Sequence, residues 1–422
     1  MGSTRIRIVG VVIAVVAAGC SWSAVGHDGG HSFSSPGDRT VTPENVAGLH
    51  ELWKGTGTGA SAPVAADGRV FTVQSAASGR ELAAYPAPGC GTALCAPTWT
   101  QPAAGTPLLA GGRVIAKAAD VSPTPCPYPL PPYWCFEVTA IGGAFDPATG
   151  SGLSGGVNTA FQYPVVSEGV LYHWTPYAPR LRPPWPSALW RLDETRLDGS
   201  GTTHRIDQFT NPVPYAVSGG SIYLLRGSQL EGYLDGTANG CGGGYGCNAA
   251  WRATIAPAAW DGLVTVANGL VYSSDLAGGV AVFSAGGCGA FADPCAPLWT
   301  AAAGTVHVGQ LAVTDTTLFA PSDDGHLYAF PAKGCGSATC APLWSVNLGS
   351  PVHAPAVAGS MLYAGTDDGR LVALDARGCG SASCSPLKTL AVGAAVRTPL
   401  AISDGRIAVV DGNGTLHAFG LK

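Results

Sequence analysis

In its C-terminal half the chain nearly repeats itself. Asp324-Gly325-His326-Leu327-Tyr328-Ala329-Phe330 is followed by Gly334-Cys335-Gly336 and then by Cys340-Ala341-Pro342-Leu343-Trp344. Asp368-Gly369-Arg370-Leu371-Val372-Ala373-Leu374 is followed in the same rhythm by Gly378-Cys379-Gly380 and Cys384-Ser385-Pro386-Leu387. Further copies run from Gly286 to Trp299 and from Gly89 to Trp99, with a weaker one from Cys241 to Trp251. Self-similarity of this kind marks an architecture of stacked supersecondary units that bury their cores against one another.

A second signal precedes each cassette, where a turn residue leads into a strand of alternating apolar character. These turns fall at Gly68, Gly112, Gly169, Gly220, Gly269, Thr316, Gly359 and Gly405, between 43 and 57 residues apart. Eight units of that length, each with room for four short strands, predict an all-β, eight-bladed β-propeller of four-stranded antiparallel blades. Composition agrees, because 60 Gly, 33 Pro and only 12% charged residues suit short strands and tight turns. After Leu400 the last unit has space for only about three strands. The segment from Val46 to Trp53 has the look of an outer strand without a blade, and its pairing with the C-terminal strands would close the ring. Trp53, Trp99, Trp251, Trp299 and Trp344 recur at one repeat position, which predicts packing between neighbouring blades.

The N-terminus reads as a targeting segment. Arg5 and Arg7 precede an apolar run from Ile8 to Ala18 that is too short to span a bilayer and ends in Ala17-Ala18-Gly19-Cys20. Small residues before Cys20 resemble a bacterial lipobox, which assigns residues 1–19 to a lipoprotein signal peptide and makes Cys20 the lipidation site; an ordinary secretory signal is the other reading. Residues 20–40, rich in Ser, Gly and His, are expected to form a flexible tether, and residues 41–422 the propeller. The twelve remaining cysteines fall into close pairs, Cys90/Cys95, Cys126/Cys135, Cys241/Cys247, Cys288/Cys295, Cys335/Cys340 and Cys379/Cys384. Local pairs of this kind predict small disulfide-closed loops in an oxidising compartment, pinning turns, over zinc sites, since no pair is spaced C-x2-C. The net charge of −5 and the lack of a basic cluster exclude nucleic acid and anionic lipid as electrostatic partners.

The blade around Ala364-Gly365-Thr366-Asp367-Asp368-Gly369-Arg370-Leu371-Val372-Ala373-Leu374 is similar to the pyrroloquinoline-quinone-like (PQQ) repeat, and Val41-Thr42-Pro43-Glu44-Asn45-Val46 through Trp53 resembles the segment that opens such propellers. The resemblance covers about residues 41–422 and is strongest in the last three blades. It implies either a quinone-dependent alcohol or sugar dehydrogenase or a non-catalytic lipoprotein such as the propeller subunit of the outer-membrane protein assembly machine. The chain lacks the adjacent Cys-Cys pair of many of those dehydrogenases and any C-x-x-C-H haem motif. The expectation is therefore a non-enzymatic propeller with no cofactor, anchored to the outer face of the cell membrane and binding a protein or cell-envelope glycan. The alternative is a dehydrogenase with PQQ and calcium in the central channel.

Three groups of residues are candidates for chemistry. His307, His353 and Arg397 occupy nearly equivalent places in three consecutive units and would converge at one channel mouth, where they could hold an anionic group. The Asp323-Asp324-Gly325 and Asp367-Asp368-Gly369 turns are read as hairpins in preference to calcium ligands. Two insertions break the rhythm: Val121 to Cys135, and His173 to Trp190, which carries Trp174, Tyr177, Trp185 and Trp190 as a partner-contacting loop or, alternatively, as a cover for the weak third blade.

Overall fold

The structure is a computed structural model that describes residues 21–77, 79–117, 143–153, 162–177, 189–196, 203–209, 213–234, 249–255, 264–289 and 294–421. It is an eight-bladed propeller of small, mostly antiparallel sheets with almost no helix. The seventh blade illustrates the plan. Its strands Val352–Ala358, Met361–Thr366, Arg370–Asp375 and Lys388–Ala391 pair in simple order from the channel outward. Each predicted turn introduces the second strand of a blade: Arg69–Ala76, Arg113–Lys117, Val170–Tyr177, Ser221–Arg226, Leu270–Ser274, Thr317–Pro321, Met361–Thr366 and Arg406–Val410. Several of the turns are two-residue connections with both residues left-handed, as at Asp67-Gly68 (φ 50° and 70°) and Asn268-Gly269 (φ 56° and 72°). This is the geometry whose twist matches a right-handed hairpin.

Closure is supplied by the N-terminal segment. Ala401–Ser403, Arg406–Val410 and Leu416–Gly420 form three strands of the eighth blade, and His50–Gly55 adds the fourth, with His50 opposite Gly420 and Trp53 opposite Ala418. The closing strand begins at His50 and not at Val46, because Val46–Gly48 forms a single 3-10 turn that buries Val46. Pairing this N-terminal strand with the C-terminal strands in one sheet closes the ring of blades.

The recurring tryptophans join blades as expected. Trp53, 1% exposed, stacks on Tyr85 of the next blade and donates its indole N–H to the Ala87 carbonyl at 3.1 Å. Trp251 donates in the same way to Ala285 at 3.1 Å. Between the fifth and sixth blades the equivalent carbonyl, that of Ala332, accepts instead from the Tyr272 hydroxyl of the fifth blade at 3.0 Å. The cassette glycine that follows in each neighbour sits under the ring: a Cβ on Gly89, Gly287, Gly334 or Gly378 would collide with Trp53, Trp251, Trp299 or Trp344. All four glycines also have φ between 79° and 96°, so both the space and the backbone demand glycine there.

Four of the six predicted disulfides close within the described residues: Cys90–Cys95, Cys288–Cys295, Cys335–Cys340 and Cys379–Cys384. The other two expected pairs, Cys126 with Cys135 and Cys241 with Cys247, lie outside the described residues, and their bonding stands as an expectation from spacing alone. The four closed loops reach further than turn-pinning. Leu94–Cys95 runs parallel to the closing strand, with Lys54 opposite Leu94, and Thr339–Cys340 runs parallel to Trp299–Ala302, with Thr300 opposite Thr339. Cys384 and Cys295 donate their backbone N–H groups to Ser345 at 2.8 Å and Arg252 at 2.7 Å. Each loop thus covers the exposed edge of the preceding blade's outer strand.

Two expectations are corrected. Residues 21–40 are not a flexible tether: Trp22 and Phe33 are fully buried, His31, Ser32, Ser34, Ser35 and Asp38 are buried with them, and the segment is bonded to the blades throughout. The stretch from His173 to Trp190 is not one loop, because Val170–Tyr177 and Leu189–Arg196 are the second and third strands of the third blade, with Pro176 opposite Trp190 and Tyr177 opposite Leu189. Trp174 is buried, packs edge-on against Tyr215 and donates to the Val213 carbonyl at 2.8 Å, so it belongs to the core between two blades. Trp185 and the insertion from Val121 to Cys135 lie outside the described residues.

Candidate functional site

Antiparallel order gives the propeller two distinct ends. Turns between first and second strands, together with the disulfide loops between third and fourth strands, lie at one end. Turns between second and third strands, and the connections from one blade to the next, lie at the other. We call them the turn end and the crossover end.

The turn end of the channel is encircled by residues 22–38. Trp22 exchanges both backbone hydrogen bonds with Ala65 of the first blade, at 2.7 and 2.9 Å. The Ser23 carbonyl then accepts from Leu109 of the second blade at 2.6 Å, Gly29 from Val217 of the fourth at 2.7 Å, Gly30 from Val266 of the fifth at 2.7 Å and Ser32 from Val313 of the sixth at 2.8 Å. Ser34–Ser35 adds a short parallel strand to Val357–Ala358 of the seventh blade, and the Asp38 carboxylate accepts from the Gly405 N–H of the eighth at 2.9 Å. The segment is a strap that visits blades in sequence and satisfies the free inner edges of their first strands. Gly30 passes so close to Val266 that any Cβ would collide with its carbonyl. The imidazole of His31 faces the Tyr215 carbonyl at 3.1 Å, and its burial pushes the pKa below the ordinary histidine value.

Beside the strap lies a cavity of about 700 Å3 bounded by the turns of the fifth, sixth and seventh blades. Its polar lining includes Ser32, Thr314, Thr316, Asp28, Arg39 and Arg377, so hydroxyl groups and charges of both signs face it. Nothing in the sequence pattern pointed to this cavity, because its floor is the strap.

The crossover end holds the three residues singled out from the sequence. His307 and His353 approach the first strands of the sixth and seventh blades, and Arg397 lies in the connection to the eighth. Each is engaged by a turn carboxylate that the sequence reading had treated as a hairpin residue. His307 Nδ1 lies 3.2 Å from Asp323 Oδ2, and His353 Nε2 lies 2.8 Å from Asp367 Oδ1. Arg397 donates from Nε and Nη2 to the two oxygens of Asp367 at 2.6 and 2.7 Å. Those bonds, and the charge of His353, hold the Asp367 carboxyl below the usual carboxylate range. Asp367 thus joins His353 to Arg397 while His307 has its own partner in Asp323, so the donors are turned on internal carboxylates, and Arg397, 66% exposed, is the member most open to solvent.

The comparisons with known proteins fit this geometry. Residues 289–379 match the PQQ_2 family model, described as outer membrane protein assembly factor BamB. The match covers those residues alone; over the rest of the chain the likeness is one of fold, that of an eight-bladed β-propeller. Among solved structures, quinohemoprotein alcohol dehydrogenase from Comamonas testosteroni is similar at a TM-score of 0.59 and 13% identity, over 97% of this chain and 81% of that one. BamB from Moraxella catarrhalis is similar at 0.51 and 13% identity, over 88% of this chain and 99% of that one. A europium-containing methanol dehydrogenase is similar at 0.60 and 11% identity, over 96% and 99% of the two chains. At these identities the likeness shows the fold alone, and no curated protein matches the sequence.

A dehydrogenase reading of this propeller would place calcium and a quinone in the channel. Among the described residues, the crossover-end carboxylates Asp323 and Asp367 do not offer calcium a free ligand set. That ion takes about six to eight oxygen ligands, whereas Asp367 is saturated by a guanidinium and an imidazole and Asp323 faces His307. A cation placed between them would meet Arg397. At the turn end the strap lines the mouth, with Trp22 and Phe33 fully buried.

Proposed function

We propose that this PQQ-repeat propeller is an exported, non-catalytic scaffold that docks proteins, held at the outer face of the cell membrane by a lipidated Cys20. The strap carries the reading. A cofactor and a substrate need an open channel mouth, and the turn-end mouth of this channel is lined by the chain's own residues 22–38, with Trp22 and Phe33 fully buried. At the other end, His307 with Asp323, and His353 and Arg397 with Asp367, neutralise one another. What the molecule offers a partner is a stiff ring with disulfide-backed edges, and preorganisation of that kind lowers the entropy cost of binding. Export is supported by the disulfides, which persist in oxidising compartments, and anchoring by the small residues before Cys20.

The test is a thermal-unfolding titration with pyrroloquinoline quinone and calcium, added separately and together. A ligand at a hundred times its Kd stabilises its protein by about 2.7 kcal/mol. No saturable shift is expected. A saturable rise would favour the quinone-dependent dehydrogenase and call for assays with alcohols, sugars and a dye acceptor.

A further inference from the structure

We infer that the turn end of the propeller lies directly against the lipid bilayer, so that the crossover end, with its Asp-His-Arg groups, faces away from it. The inference rests on the anchoring of Cys20 proposed above and adds an orientation to it.

The argument begins with the strap. A lipoprotein whose lipid were followed by a loose tether of twenty residues would tumble freely above the membrane. Here the chain is bonded to the first blade from Trp22 onward, with Trp22 fully buried and its backbone paired in both directions with Ala65. Ser23 is bonded in turn to the second blade through Leu109. Two residues of extended chain span at most about 7 Å. A lipid on Cys20 therefore leaves the body of the protein at the turn-end mouth, with no slack that would let the ring turn over.

That end is compatible with a lipid surface. Leu298, Leu343 and Leu387 each stand immediately before the outer strand of a consecutive blade, beside the disulfide loops, and are 56%, 52% and 45% exposed. They are arranged along the turn-end rim, where a bilayer interface would cover them. Charge does not oppose the approach or drive it. The turns at this end carry Asp67, Asp315 and Asp404 alongside Arg69, Arg113 and Arg406, and the cavity there sets Asp28 and Asp315 against Arg39 and Arg377. Contact is accordingly held by the covalent lipid and apolar burial, with little dependence on ionic strength.

The experiment uses the full lipidated chain in phosphatidylcholine vesicles containing a nitroxide-labelled headgroup. A fluorophore is attached at Asp315→Cys, in a turn of the turn end, or at Asn413→Cys, in a turn of the crossover end. Quenching at Asp315→Cys is expected to exceed that at Asn413→Cys several-fold and to persist in high salt. A Gly/Ser insert of about twenty residues between Cys20 and Ser21 supplies a flexible tether and should bring the two positions to the same value. Hydrogen exchange on the unaltered chain, in vesicles against detergent, gives the same answer without substitution: slowed exchange confined to the turn end supports the orientation. Equal quenching, or equal exchange at both ends, in a chain whose lipid is verified by mass spectrometry overturns the orientation while leaving the anchor standing. A Cys20 without lipid overturns both.

Discussion

Trp22 and Ala65 exchange both of their backbone hydrogen bonds, at 2.7 and 2.9 Å, and so tie the beginning of the described chain to the innermost strand of the first blade. The indole of Trp22 is buried edge-on against Phe33, eleven residues further along the same strap. Neither contact would exist if residues 20–40 were a tether.

Trp22→Ala is accordingly expected to lower unfolding free energy by about 3 to 5 kcal/mol, the usual cost of emptying a large aromatic site. Urea denaturation of the variant and of the unaltered chain measures it. A tether residue would change stability by less than about 0.5 kcal/mol.

His31 gives the strap a pH dependence. Its pKa is lowered by burial, so the unfolded chain binds the proton more readily than the folded one. The stabilisation due to the neutral imidazole is present above the unfolded value of about 6.5 and is lost as pH falls through the lower folded value. Urea midpoints measured from pH 8 downward should decline below about pH 6.5, and His31→Asn should flatten that part of the curve.

Ring closure depends on Trp53 in two separable ways. Trp53→Phe keeps most of the buried ring but removes the donor to the Ala87 carbonyl, an expected loss of about 1 to 3 kcal/mol. Trp53→Ala also opens a cavity and should cost about 3 to 5 kcal/mol. Equal effects from the two variants would show that the hydrogen bond contributes nothing to closure.

Replacing Cys335 and Cys340 together by Ala opens a loop with a sequence separation of 5. Loop-closure entropy alone predicts a loss of about 2 kcal/mol. The parallel pairing of Thr339 with Thr300 adds a second effect, increased hydrogen exchange in Trp299–Ala302 of the neighbouring blade, which a purely local staple would not produce.

At the crossover end, Arg397→Ala removes the guanidinium hydrogen bonds that do most to lower the Asp367 pKa. The carboxyl should titrate closer to its ordinary value, as followed by carbon NMR. Because a depressed carboxylate pKa stabilises the folded state above the unfolded value and loses that contribution as pH falls, the variant should show a weaker acid dependence below about pH 4. The stability change at neutral pH should stay within about 1 kcal/mol, since Arg397 is mostly exposed.

The sequence by itself determined the ring. Blade number, the second strand of each blade, the inter-blade tryptophans, four of the disulfides and closure by Trp53 were legible because each repeats at a fixed spacing, and repetition turns weak local signals into one strong signal. Cys241 and Cys247 belong to the weakest copy of the cassette, and they lie, with Cys126 and Cys135, outside the described residues. Spacing put His307, His353 and Arg397 at equivalent places in three consecutive units, but it did not reveal their carboxylate partners. Asp323 and Asp367 serve the turn and the ion pairs at once, and spacing reveals only the first role. The third blade hid its strands because Trp174 and its neighbours resemble an exposed aromatic loop until the opposite strand is found.

Only the tertiary structure decided the course of residues 22–38. The strap carries few apolar side chains and no periodicity, and it is held chiefly by its own carbonyls accepting from the inner strands of successive blades. Every residue type but one carries the same backbone donor and acceptor, so a segment that binds through its backbone leaves no pattern in its sequence. Its partners come into reach only when eight blades have closed around a common axis.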